Sequence, residues 1–376
     1  MGMAVQGHRR STFFEIGLVS ALFVLGAVTG MVYVSTWGGR PVYLQSMFGP
    51  AVMWTCGRGF ENPKLSQIPS LRDFLYAERD SFSCEEIPEE LPLAPHEPGG
   101  LSDEEWKLFH PHPDFSGWLN FQRFHYYLLM SAALCWKVFG ISWTALLPLF
   151  GLLYGTSVAA SYGLFRLAMK RWPAVLFALF FLIAPLHLQE LPDLRDYAKA
   201  PFFLMAAFLT GRIAVGGIRQ RTQIILCTLC GAVLGLGVGF RQDLLICVPA
   251  FLAVLFVFSP GPWRETWRTR CLGSALFMAL FLVIGGPILH VLFWKGNNSS
   301  HDTLIGTLQY CDSRLGVGSP YYDLGDPFLD EYVRAEVESF NDRINGSEEP
   351  LRHYTIQYDR VASEYFMQLV RTLPAD

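Results

Sequence analysis

The densest group of reactive side chains lies in Glu190-Leu191-Pro192-Asp193-Leu194-Arg195-Asp196-Tyr197-Ala198-Lys199-Ala200-Pro201. Carboxylates so placed could bind a divalent cation or act as a base, while an Arg and a Lys could hold a phosphate. The segment joins two apolar runs, and ionisable groups at membrane depth are costly enough to be functional candidates by default. A plainer reading is a self-neutralised loop at a water interface, and that is the commoner outcome for an average membrane protein. A second short connection, Gly239-Phe240-Arg241-Gln242-Asp243, favours chemistry, because it adds an Arg and an Asp on the same face. Asp193 and Asp196 are therefore candidate catalytic residues. Arg195, Lys199 and Arg241 are candidate phosphate ligands, and Asp243 is a further candidate.

Other signals are weaker. His125, in Phe124-His125-Tyr126-Tyr127, is more simply an interface anchor than a catalyst. Arg58 and Glu61 lie in Cys56-Gly57-Arg58-Gly59-Phe60-Glu61, where Gly-Arg-Gly lacks the strand–helix context of a phosphate cradle. Of the eight cysteines, Cys135, Cys227, Cys230, Cys247 and Cys271 lie in or beside apolar runs and read as small buried hydrophobes. Cys56 and Cys84 flank a polar segment, so a disulfide is expected if that segment is outside the cytoplasm.

The elements that must position these residues are membrane helices. Of 376 residues, 51% are hydrophobic and 16% charged, where a soluble chain of this size carries about 25% charged. The first apolar run, from about 13 to 36, follows His8-Arg9-Arg10. It is long for a signal peptide and lacks a small-residue cleavage site, so it reads as an uncleaved helix. Further runs cover about 125–140, 143–165, 173–189, 199–217, 222–240, 244–259 and 272–294. If 125–140 lies in the outer interface instead of crossing, eleven Arg and Lys flank the inner ends (9–10, 166–171, 212–221, 264–270). Only Arg195, Lys199 and Arg241 sit in the short outer connections. That asymmetry obeys the positive-inside rule, and a crossing at 125–140 would invert it.

The expected fold is an all-α integral membrane protein with about seven transmembrane helices and a large first outer loop carrying an interfacial helix. Residues 1–12 form a cytoplasmic head, 13–294 the seven-helix module and 37–142 the outer loop, which includes 125–140. Residues 295–376 form an outer carboxyl-terminal segment, expected to stop just short of another helix. No basic stripe with interleaved aromatics points to nucleic acid.

One crossing, a long outer loop, the interfacial His125-Tyr126-Tyr127-Leu128-Leu129, then Phe139-Gly140-Ile141-Ser142 and paired helices resemble the GT-C superfamily of membrane glycosyltransferases. The resemblance covers roughly residues 10–295 and is nearest the protein mannosyltransferase and aminoarabinose transferase branch. It implies a polyprenyl-phosphate sugar donor and a glycan, lipid or protein acceptor at the outer face of a bacterial inner membrane. A divalent cation (Mg or Mn) is the one cofactor it leaves open. The family's second-loop Asp falls on Asp193 or Asp196. One departure stands out: Ser35-Thr36-Trp37-Gly38-Gly39-Arg40-Pro41 has no acid where the family places one; the nearest acids are Glu61, Asp73, Glu78 and Asp80, of which Glu61 is taken as the general base. Two other classes compete, a flippase for the same lipids and a non-catalytic assembly partner. The first should show internal repeats or helices interrupted at mid-depth, and neither is evident.

Overall fold

The computed structural model describes residues 2–42, 45–63, 65–88, 118–295, 299–306, 330–346, 351 and 355–372. Among these the chain is all-helical, and five helices are long and apolar enough to cross a membrane. The acidic stretch containing Glu89-Glu90 and Asp103-Glu104-Glu105, the turn at 316–320 and residues 373–376 lie outside the described residues.

Helix α1 (Gly2–Ser35) begins ahead of the apolar run that drives it. It ends at Gly38 and Gly39, whose φ values of 80° and 73° few side chains tolerate. The chain then enters a folded loop. Helix α2 (Gly49–Thr55) leads through the Cys56–Cys84 disulfide to the end of the loop's described part. Helix α3 (Pro69–Leu75) supplies Phe74, which stacks on Trp143 at 4.6 Å between ring centres. Trp136 stands edge-on to both rings, and each indole N–H donates to a backbone carbonyl. Buried aromatics with satisfied N–H groups hold such a loop as firmly as a small domain core.

Helices α4 (Trp118–Phe124) and α5 (Tyr126–Phe139) follow. Gln122 and Asn62 exchange two buried amide hydrogen bonds, of 2.6 and 2.9 Å, which fasten α4 to the loop. At 14 residues α5 is about 21 Å long, short of a hydrocarbon core of about 30 Å. Its Lys137, in the last turn, holds its ammonium 5.0 Å above the Trp54 ring of α2, a cation–π contact that offsets the charge on an apolar helix.

Helix α6 (Leu147–Ala168) packs on α1 through two glycine pairs, Gly26/Gly30 and Gly151/Gly155. A Cβ on Gly155 would lie 2.6 Å from the Phe23 carbonyl oxygen, so only glycine allows this approach. Where lipid is as apolar as leucine, close backbone packing of this kind takes over from hydrophobic burial. At the end away from the loop, Glu15 of α1 accepts hydrogen bonds from Tyr162, Arg166 and Arg171 at 2.5, 3.2 and 3.0 Å.

Helices α7 (Arg171–Leu182) and α8 (Pro185–Gln189) are separated by a break at Pro185, and the single turn α9 (Leu194–Tyr197) leads into α10 (Ala200–Val215). Helix α11 (Gln220–Val238) is followed by α12 (Gln242–Phe258), which opens as a 3₁₀ turn and closes as a π-helix. The buried Arg270 of α13 (Trp263–Trp294) donates to the Phe256 and Ser259 carbonyls that this irregular end releases. Helices α11 and α13 meet at Gly231 and Gly235. The apolar segments α7 and α12, of 12 and 17 residues, fall below the five long helices in length. Exposed tryptophans at both ends of α13 (Trp263, Trp267, Trp294) match the girdles found at membrane interfaces. Beyond it, α14 (Ser299–Gly306), α15 (Asp330–Asn345) and α16 (Ile356–Thr372) share a second core around Val337, Phe340, Tyr358 and Ala362.

Candidate active site

Two turns build the site. In the first, the Asp193 carboxylate caps the single turn α9 by accepting from the Asp196 amide at 3.4 Å. An N-cap acid satisfies an otherwise orphan amide and fixes where the next side chains emerge. Arg195 and Asp196 then leave the same turn, and Lys199 precedes the proline-led start of α10. The Pro192 carbonyl accepts from the Val42 amide at 3.1 Å, which ties this turn to the loop that follows α1. In the second turn, the Gly239 carbonyl accepts from the Tyr127 and Leu128 amides at 3.0 and 3.4 Å. Residue 239 must be glycine, since a Cβ there would enter the Tyr127 ring. Arg241 follows in extended backbone, with φ −155°.

The turns are joined by an alternating chain of charge. Arg195 pairs with Asp196 at 2.9 Å, and Asp196 also pairs with Arg241 across the turns. Arg241 reaches Asp243 at 3.0 Å, and Asp243 reaches Lys199 at 3.2 Å. Three cations thus share two carboxylates. The arrangement is graded from inside out: the Arg195 and Arg241 side chains are 15% and 19% exposed, those of Asp243 and Lys199 both 42%. Asp193 adds a third carboxylate beside this chain. Burial, and then the neighbouring Asp196, push its carboxyl up to about 6.

His125 lies beneath this chain, almost wholly buried. Its Nδ1 is 3.0 Å from the Phe121 carbonyl oxygen, which can only accept, so that nitrogen carries the proton and Nε2 the lone pair. Nε2 has no hydrogen-bond partner among the described residues. Burial first, with Arg241 and Arg195 adding to it, drives the imidazole down to about 3 and keeps it neutral.

Beside the charged chain opens a cavity of about 740 Å³. Phe181, Leu186, Phe203 and Ile246 form apolar walls, and Leu186, Phe203 and Ile246 are more than half exposed. At its polar edge stand His187, Glu190, Asp196, Tyr197, Lys199 and Asp243. His187 is packed against Phe181 and Tyr154, and its Nε2 is 3.1 Å from the Tyr197 hydroxyl.

The structure brings together Asp193, Arg195, Asp196, Lys199, Arg241 and Asp243, with His125 below them. It does not bring Glu61 or Arg58 to the cavity wall. Glu61 lies between Phe60, whose ring packs on Tyr126, and Asn62, which is buried against Gln122. No hydrogen bond or ion pair joins it to the charged chain among the described residues. Sequence reasoning missed Glu190 and His187 as cavity residues. Their spacing of three puts both on one face of a helical turn, and that was the available signal.

Asp196 and Asp243 are each neutralised by two cationic side chains, and among the described residues no three of His, Cys, Asp and Glu converge as ligands. No protein-family model matches this chain, and comparisons with curated proteins and with solved structures return no match. The functional reading therefore stands on the geometry.

Proposed function

We propose that the chain is a membrane glycosyltransferase of GT-C-like architecture, which moves a sugar from a polyprenyl-phosphate donor to a glycan, lipid or protein acceptor. One observation carries the reading: a chain of cations, with Arg195 and Arg241 largely buried, runs along the edge of an apolar cavity whose wall residues Leu186, Phe203 and Ile246 are exposed. An amphiphile with one phosphate and a long hydrocarbon tail matches both halves. A sugar phosphodiester carries one negative charge, and Arg195, Lys199 and Arg241 are the cations at this edge that would receive it. The phosphate would exchange with a carboxylate on Arg241, whose planar fork suits two phosphate oxygens. Arg195 and Lys199 would hold the phosphate from either side as negative charge builds on its leaving oxygen. Asp193 and Asp196 orient these groups. Any divalent cation would arrive with the donor.

On this reading α7 with α8, and α12, cross the membrane together with the five longer helices, which gives seven crossings. α5 lies in the outer interface. The amino terminus is cytoplasmic and the carboxyl-terminal helices face outward across a bacterial inner membrane. The alternation supports this, because the 190–199 and 239–243 turns meet at one end while Glu15, Arg166 and Arg171 meet at the other.

The test uses full-length protein. Saturable stabilisation by undecaprenyl phosphate, together with sugar release from labelled undecaprenyl-phosphate sugars in membranes, is the expected result. Binding without release would favour a flippase, and neither would favour an assembly partner.

A further inference from the structure

We infer that Glu190 is the residue that takes the acceptor's proton. This rests on the donor-site reading above and adds to it the group that the first outer loop fails to supply. Three carboxylates line the cavity: Asp196, Asp243 and Glu190. The first two are occupied, each held by two cationic side chains at the rim. A carboxylate so neutralised is a poor base, because a proton would displace an ion pair. Glu190 is exposed within the cavity, and no hydrogen bond or ion pair holds its carboxylate among the described residues.

Its position is fixed by the turn it caps. Helix α8 starts at Pro185 and ends at Gln189, and the Glu190 amide bonds back to the Leu186 carbonyl at 3.2 Å. His187, one turn earlier on the same face, is held by aromatic packing and by Tyr197, so the turn that carries Glu190 is anchored. Because its Nε2 meets the Tyr197 hydroxyl and its ring is packed, His187 is not the competing base.

The step balances without a further reactant. Glu190 accepts the proton of an acceptor hydroxyl as that oxygen bonds to the anomeric carbon. The bond from that carbon to the phosphate oxygen breaks, and its electron pair leaves on the phosphate, which Arg241 and Lys199 stabilise. General-base catalysis by a positioned carboxylate contributes about 10²–10⁴-fold.

The experiment compares wild type, Glu190→Gln, Glu190→Asp and Arg241→Ala as full-length proteins in native membranes. Undecaprenyl phosphate is the binding probe, and a panel of labelled undecaprenyl-phosphate sugars is the reaction probe. Glu190→Gln should bind undecaprenyl phosphate as wild type does and lose at least about 100-fold in sugar transfer. Glu190→Asp should keep part of the rate. Arg241→Ala should fail at binding. A Glu190→Gln protein with the wild-type rate of sugar transfer would overturn the assignment while leaving the donor site standing. Wild-type protein that neither binds undecaprenyl phosphate nor releases any sugar would overturn both.

Discussion

Arg241 is where the structural and the functional readings of the charged chain part. Its guanidinium holds Asp196 in the interior and Asp243 at the rim, and its own side chain is 19% exposed. A charge-assisted hydrogen bond in a mostly buried setting is worth roughly 1.5–3 kcal/mol, which fits the Asp196 contact. The Asp243 contact deserves less, about 0.2–1 kcal/mol, because that carboxylate is 42% exposed and water screens it. Arg241→Ala should therefore cost about 2–4 kcal/mol of folding stability if the role is structural. The double change Arg241→Ala with Asp196→Asn should cost less than the sum of the two single changes, because both remove the same contact. If Arg241 also receives the donor phosphate, Arg241→Lys should keep much of the stability and still bind undecaprenyl phosphate about ten- to a hundredfold more weakly, since a point charge cannot replace a fork. Both quantities come from one assay, thermal unfolding of solubilised protein with rising undecaprenyl phosphate, in which ligand stabilisation follows RT ln(1 + [L]/Kd). An Arg241→Ala protein with the wild-type midpoint and the wild-type response to the lipid would refute the whole account.

Three further outcomes are expected. Asp193 is raised to about 6 by burial and by Asp196, so the folded state binds its proton more tightly than the unfolded chain does, and its contribution to stability is lost as pH rises from about 4 to about 6. Asp193→Asn, which still caps α9, should flatten that part of a stability–pH curve by on the order of 1 kcal/mol after allowance for screening; an unchanged curve contradicts the assignment. Cys56 and Cys84 close a loop of 28 residues, so replacing either with Ser should cost about 3.5 kcal/mol in the chain-entropy account, and replacing both should cost no more than one. A reporter active only in the cytoplasm should be silent when fused after Lys295, and activity there would end the seven-crossing arrangement.

Composition and charge made the membrane helices legible, because a run of apolar residues long enough to cross reads the same in any context. The two reactive turns were legible for a related reason: Asp193, Arg195, Asp196 and Lys199 crowd into one short connection, and a membrane chain tolerates such density only at a boundary. What spacing could not reveal was which acid each cation holds. Lys199 and Asp243 stand 44 positions apart, and only the packing of α10 beside the start of α12 makes them partners. The same limit hid the loop core, where Phe74 and Trp143 stack across most of the loop's length.

The search for a base shows how this limit acts on function. On sequence alone Glu61 is taken as the base and Glu190 is passed over, although Glu190 opens the densest group of reactive side chains. Selection between them depends on which side chain faces the cavity and which carboxylates are already paired. Those are properties of the folded charge network, since each Arg that neutralises an Asp also removes that Asp from the list of bases. Once Arg195, Arg241 and Lys199 are assigned to Asp196 and Asp243, Glu190 is the one cavity carboxylate left unheld among the described residues. The cations that favour a phosphate thus also identify the acid free to take a proton.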